Sequence, residues 1–143
     1  TDGGFLGNPL NIYYIRYADV ILMASEAAMM LNDQTNASKY FNMIRERARN
    51  CGDGINPVNL PGNVTKQEIM DERAREFAME GERFFDLVRW KEAFNVINDS
   101  RMDWWDAHGI SGGIMYTEPK DDFFPIPEFE TQKNSNLKQY AGW

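Results

Sequence analysis

The stretch Asn36-Ala37-Ser38-Lys39-Tyr40-Phe41-Asn42-Met43-Ile44-Arg45-Glu46-Arg47-Ala48-Arg49-Asn50 decides the fold. Its apolar residues Ala37, Tyr40, Phe41, Ile44 and Ala48 recur at i, i+3, i+4, i+7 and i+11, the stripe of an amphipathic helix and not the alternation of a strand. Lys39, Arg45, Glu46 and Arg49 fall outside that stripe. Asn36 is the expected cap of this helix, and Asn50-Cys51-Gly52 its stop. The segment before it, from Tyr14 to Asn32, is also helical in pattern but apolar on nearly every side, through Tyr17, Ala18, Val20, Ile21, Leu22, Met23, Ala27 and Met30. Such a helix is expected to be buried on most of its faces. Asn32-Asp33 separates the two, so residues 17–50 form an antiparallel helical hairpin.

Further along, residues 51–64 carry Gly52, Gly54, Pro57, Pro61 and Gly62 and read as a loop. Thr65 and Glu68 then stand at the spacing of a capping box. The third helix is expected to run to about Glu80, with Gly81 as its left-handed C-terminal residue. A fourth, from Glu82 to about Asn98, presents Phe84, Leu87, Val88, Trp90, Phe94 and Ile97 as its inner stripe. Residues 65–98 would make a second hairpin, and each hairpin has about 34 residues, the length of a tetratricopeptide unit. Residues 99–143 read as irregular. Gly109, Gly112, Gly113 and Pro119 interrupt the first part, and Phe123-Phe124-Pro125-Ile126-Pro127 forces an extended path. Residues 1–12 are Gly-, Asn- and Pro-rich coil. The expected fold is all-α: tetratricopeptide-like antiparallel helical hairpins, an alpha-alpha superhelix, with an irregular C-terminal segment, in one helical domain over 1–143.

Composition narrows the function. The 143 residues are 43% hydrophobic and 13% aromatic, enough to bury a core. A net charge of −7 argues against nucleic acid, whose phosphates need a basic footprint. A single cysteine, Cys51, excludes an internal disulfide, and a single histidine, His108, excludes paired-histidine metal motifs. No cofactor and no metal are expected. The opening Thr1-Asp2-Gly3-Gly4 has neither an initiator Met nor a signal peptide, and we expect upstream sequence, with any anchor, to be missing.

Four blocks, in order, resemble one family. Arg16-Tyr17-Ala18-Asp19-Val20-Ile21-Leu22-Met23-Ala24-Ser25-Glu26-Ala27 is similar to a helix of the SusD/RagB proteins, the outer-membrane nutrient-binding lipoproteins of Bacteroidetes. Asn42-Met43-Ile44-Arg45-Glu46-Arg47-Ala48 resembles the next. The strongest block runs from Glu72 to Trp90 and includes Glu76-Phe77-Ala78-Met79-Glu80-Gly81-Glu82-Arg83-Phe84-Phe85-Asp86-Leu87. Pro125-Ile126-Pro127, Glu130, Asn134, Asn136-Leu137 and Gln139 echo the family's C-terminal pattern. Asp19 stands where the family usually has Glu, and Ala141 where it has Pro. The resemblance implies the C-terminal portion of such a lipoprotein, its N-terminal portion missing. It further implies location at the extracellular face of the outer membrane through a lipid on an upstream cysteine. The implied role is non-catalytic binding of a glycan or other nutrient, handed to a TonB-dependent SusC-like transporter.

Three constellations compete for a role. Glu68, Glu72, Glu76 and Glu80 lie at i, i+4, i+8 and i+12, which suits a cation or a carboxylate-based hydrolase using Glu76 and Glu80. The arginines in the same segment favour a salt-bridged face. Glu80, Arg83, Asp86 and Arg89 are expected to form an ion network at the helix junction. Trp104 and Trp105, with Asp103, Asp106 and Tyr116, have the mixture a polyhydroxyl ligand needs, with indole faces for C–H stacking and carboxylates for hydroxyls. Alternatively the two indoles plug a loop onto the helical core. Asp106, His108 and Ser111 match no nucleophile motif, so no catalytic residue is assigned. A helical-repeat scaffold that binds only protein is the remaining alternative.

Overall fold

Helix α1 spans Tyr17–Met30 and α2 spans Gln34–Cys51, packed against each other as the first hairpin. They belong to a computed structural model that describes residues 14–111 and 113–143. The coil expected over 1–12, and Gly112, lie outside the described residues. The chain divides into two compact units, Thr1–Ala78 and Met79–Trp143.

In the first unit the core is made by Leu22, Phe41, Ile44, Val64 and Ile69, all fully buried. Phe41 and Ile44 come from the stripe of α2. Ser25 adds a buried hydrogen bond from its Oγ to the Ala37 carbonyl at 2.8 Å, which ties α1 to the first turns of α2. Helix α1 ends in a left-handed Asn32 (φ 60), and the N–H groups of Asn32 and Asp33 return to the carbonyls of Met29 and Ala28, the two bonds of a Schellman motif. The cap of α2 is Asp33 and not Asn36: the Asp33 carboxylate accepts from the Asn36 N–H at 3.1 Å, which places Asn36 inside the first turn. Hydrogen bonds from the Asn36 side chain and then its backbone hold the Asp33 carboxyl below the usual carboxylate range. A depressed folded-state value stabilises above the unfolded carboxylate range, and that contribution fades as pH falls through the folded value.

One face of α1 is buried, through Ala18, Ile21, Leu22, Ser25, Glu26 and Ala28. The outer face holds Tyr17, Val20, Met23 and Met30 exposed, so the expected burial on most faces is not met among the described residues. Among the described residues, α2 and α3 are the helices packed most closely on this 14-residue helix, and two such neighbours leave a third side uncovered.

The loop after α2 is held by side chains. Gln34 pairs its amide with both backbone groups of Val64 (2.9 and 3.3 Å), and Asn42 does the same with Leu60 (2.7 and 3.4 Å). Helix α3, Lys66–Glu76, starts with the expected capping box between Thr65 and Glu68. Replacing Thr65 by Ala should cost about 1 kcal/mol. An unchanged denaturation midpoint would show that the box contributes nothing. Helix α3 stops at Glu76 and not near Glu80, and it packs against α1. Phe77 explains the stop: it is buried, with the guanidinium groups of Arg16 and Arg73 at 4.6 and 4.9 Å from its ring centre. Arg16 also caps the last turn by donating to the Glu76 carbonyl.

In the second unit, Gly81 is left-handed (φ 88) as expected, but it serves as the N-cap of α4. The single helix expected over 82–98 is two, α4 over Glu82–Trp90 and α5 over Ala93–His108, so residues 65–98 hold three helices or parts of them. The break is a second Schellman motif: Lys91 is left-handed (φ 59), and the N–H groups of Lys91 and Glu92 return to Val88 and Leu87. The break re-aims α5, and Phe94, expected inside, is 48% exposed. Helix α5 continues ten residues beyond Asn98, into the segment read as irregular, and closes with a third Schellman motif at Gly109 (φ 66). A 3₁₀ turn at Lys120–Asp122 and a short α6 at Glu128–Lys133 come next. Here too amides clamp backbone: Asn98 pairs with both groups of Tyr116 (2.7 and 3.1 Å), and Gln139 with both groups of Ile126 (2.9 and 2.8 Å). The described residues are thus all-α, tetratricopeptide-like helical hairpins with no strand.

Candidate functional site

Glu68, Glu72 and Glu76 of the acidic stripe are engaged in capping and ion pairs. Glu68 caps α3. Glu72 accepts from Arg75 at 2.7 Å and from Arg45 at 3.3 Å, and Glu76 accepts from Arg47 at 2.6 Å and from Arg16. These arginines come from three different segments, so the carboxylates act as staples between α2, α3 and the entry to α1. Among the described residues, no group of three or more His, Cys, Asp or Glu is arranged to hold a metal ion. His108 does not join Asp106 and Ser111 in a triad. Its ring stacks on Trp104 at 4.3 Å, and its Nδ1 lies 2.8 Å from the Trp104 carbonyl. The described residues contain no catalytic constellation.

Within the expected junction network, Asp86 and Arg89 are in contact, and Glu80 and Arg83 have contacts of their own. The Asp86 carboxylate is buried and accepts from Arg89 Nε at 2.9 Å. The Arg89 guanidinium lies 4.2 Å from the Trp90 ring centre, which fixes that arginine between a charge and an aromatic face. Glu80 is exposed in the segment between α3 and α4. Arg83 also lines a groove with α5.

That groove, about 570 Å³, is where Trp104 and Trp105 lie. Both indoles project from the last turns of α5 and not from a loop, because the helix runs on to His108. Leu87 and Arg83 of α4 form one wall; Ile97, Arg101, Trp104 and Trp105 of α5 form the other. Trp104 is 53% exposed. Trp105 is half-buried under the returning chain: a Cβ on Gly113 would meet its ring at 2.0 Å, so this approach requires glycine.

Helical geometry also separates what the sequence places side by side. At about 100° per residue, Ile97, Ser100, Arg101, Trp104 and Trp105 share one face of α5, whereas Asp99, Asp103 and Asp106 lie opposite. Asp103 and Asp106 are exposed and do not line the groove. Tyr116 is 4% exposed and packs edge-on against Phe84. Its hydroxyl donates to Asp122, and burial first, then that bond, pushes the phenol well above its ordinary range. It borders a neighbouring cavity of about 390 Å³ with Phe84, Phe124 and Trp143. Sequence reasoning missed Arg101 and Leu87 as groove residues. The signal was present, since Ile97, Arg101, Trp104 and Trp105 continue the helical spacing past Asn98.

The comparisons with known proteins agree with this architecture. The SusD family profile matches residues 5–143. SusD-like proteins P2 and P25 of Formosa agariphila are 30% and 34% identical, each over 89% of this chain. The starch-binding protein SusD of Bacteroides thetaiotaomicron is 31% identical over 93% of it. The chain spans about a quarter of the length of these relatives, 25%, 23% and 22% in turn. Among solved structures, a SusD superfamily protein from Bacteroides vulgatus superposes with a TM-score of 0.66 at 35% identity, covering 90% of this chain and 27% of that one. A SusD homolog from Bacteroides thetaiotaomicron superposes with a TM-score of 0.74 at 24% identity, covering 92% of this chain and 27% of its own, a likeness of fold. With a match across nearly its whole length and the same helical architecture, the chain belongs to the SusD family.

Proposed function

We propose that the chain forms the C-terminal helical part of a SusD-type lipoprotein at the extracellular face of the outer membrane. In this reading it binds an oligosaccharide or other nutrient without chemistry and passes it to a TonB-dependent SusC-like transporter, with the lipid carried on a cysteine upstream. Family membership supports the role, and the likeness of residues 125–139 to the family's C-terminal pattern supports the placement. The observation that carries ligand binding here is Trp104, an indole 53% exposed at the mouth of a groove. An indole face offers C–H stacking to a sugar ring, and rigid helices hold it in place at little entropic cost.

The test is retardation in native gels cast with polysaccharides, using this chain and the full-length protein. Trp104→Ala should abolish retardation in any gel that slows the parent, with the melting temperature unchanged. Migration unaffected by every polysaccharide would overturn the reading. It would leave the helical-repeat protein scaffold, which the uncharged outer face of α1 favours.

A further inference from the structure

The groove beneath Trp104 is apolar except at its charged heads, and those heads are both cationic. Arg83 enters from α4 and Arg101 from α5. The third polar side chain on the lining, Ser100, spends its hydroxyl on the Val96 carbonyl at 2.8 Å. The three aspartates of α5 lie on the opposite face of that helix. The acid nearest along the adjoining cavity, Asp121, accepts the Thr117 N–H at 2.7 Å. A chain of net charge −7 thus shows a groove whose charged side chains are two guanidinium groups beside two indoles.

Neutral sugars present hydroxyls that donate as well as accept, and their usual partners are carboxylates and amides, which this lining lacks. A guanidinium only donates, in a fork that matches the two oxygens of a carboxylate or sulfate. Arg101 gives one N–H to the Ile114 carbonyl at 2.8 Å, which orients the group while its side chain stays exposed along the groove. Arg83 already has a contact of its own, which leaves Arg101 as the exposed guanidinium of the groove. We infer that this groove selects an acidic oligosaccharide, one bearing carboxylate or sulfate groups, with a sugar face on Trp104 and its anion at Arg101. The inference rests on the proposed binding role and specifies the ligand class for that same groove.

The experiment compares native gels cast with polygalacturonate, alginate and chondroitin sulfate against gels with starch, xylan and laminarin. Retardation is expected in at least one acidic gel, weakening as salt shortens the screening length from about 10 Å at 0.1 M to about 3 Å at 1 M. Arg101→Gln keeps a donor for the Ile114 carbonyl and removes the charge. It should weaken that binding about tenfold or more, while Arg101→Lys recovers part of it. Melting curves of both variants report whether the protein stays folded. Retardation in neutral gels alone, or acidic retardation that Arg101→Gln leaves intact in a folded protein, would overturn acid selection and leave the binding role standing. Retardation in no gel would overturn both.

Discussion

Replacing Phe41 by alanine is expected to cost about 3–5 kcal/mol, the loss of a buried aromatic with the cavity it leaves. The ring is fully buried on the inner stripe of α2, beside Ile44 and opposite the face of α1 that buries Leu22. A domain of this size is held by about 5–15 kcal/mol, so a large share of its stability would go in one substitution. Phe41→Leu keeps most of the volume and should cost under about 1.5 kcal/mol. Met43, two residues away and 38% exposed, serves as the contrast, and Met43→Ala should stay within about 0.5 kcal/mol. Urea denaturation of the three variants gives the comparison. Equal midpoints for Phe41→Ala and Met43→Ala would show that the stripe does not hold the hairpin together.

The second large effect is expected at Asp19. Its carboxylate accepts from Arg73 at 2.6 Å, and the Arg73 side chain is 4% exposed, so the pair joins α1 to α3 away from water. Asp19→Ala removes that carboxylate from a buried guanidinium that has a further contact of its own, and should cost about 1.5–3 kcal/mol. Removing both charges relieves the penalty: Asp19→Ala with Arg73→Met should be less destabilising than the two single changes added together, with a coupling of about 1 kcal/mol or more. Phe77 lies against the same guanidinium, at 4.9 Å, which gives a methionine in that place an apolar neighbour. Strict additivity in the cycle would mean that the pair contributes nothing as a pair. The family's usual Glu at this position makes Asp19→Glu informative. One added methylene must fit the same buried space, and the cost measures how tightly α1 and α3 are held.

The amino-acid sequence by itself determined the helical class and the first hairpin. The period of Ala37, Phe41 and Ile44, the capping box at Thr65 and the left-handed Gly81 are local matters, settled by neighbours within a few residues along the chain. The resemblance of four blocks to the SusD/RagB proteins was readable for the same reason, because it lies in residue order. The salt-bridged nature of the acidic stripe was also readable in kind, since arginines crowd the same segment, although the actual partners Arg16, Arg45 and Arg47 arrive from other segments.

The candidate site was decided by tertiary structure. The helix break at Lys91 carries no sequence mark, since lysine has no preference for a left-handed conformation. The continuation of α5 to His108 is masked in the sequence by Gly109, Gly112 and Gly113, whose loop character extends by composition to the residues before them. That one difference rearranged the ligand face. In a loop, Asp103 and Asp106 would flank the indoles; on a helix each step turns the side chain by about 100°, and the aspartates rotate away while Arg101, three residues before Trp104, rotates in. The amide clamps of Gln34, Asn42, Asn98 and Gln139 were equally hidden, because each pairs with backbone 13 to 30 residues distant, a meeting that no local pattern encodes.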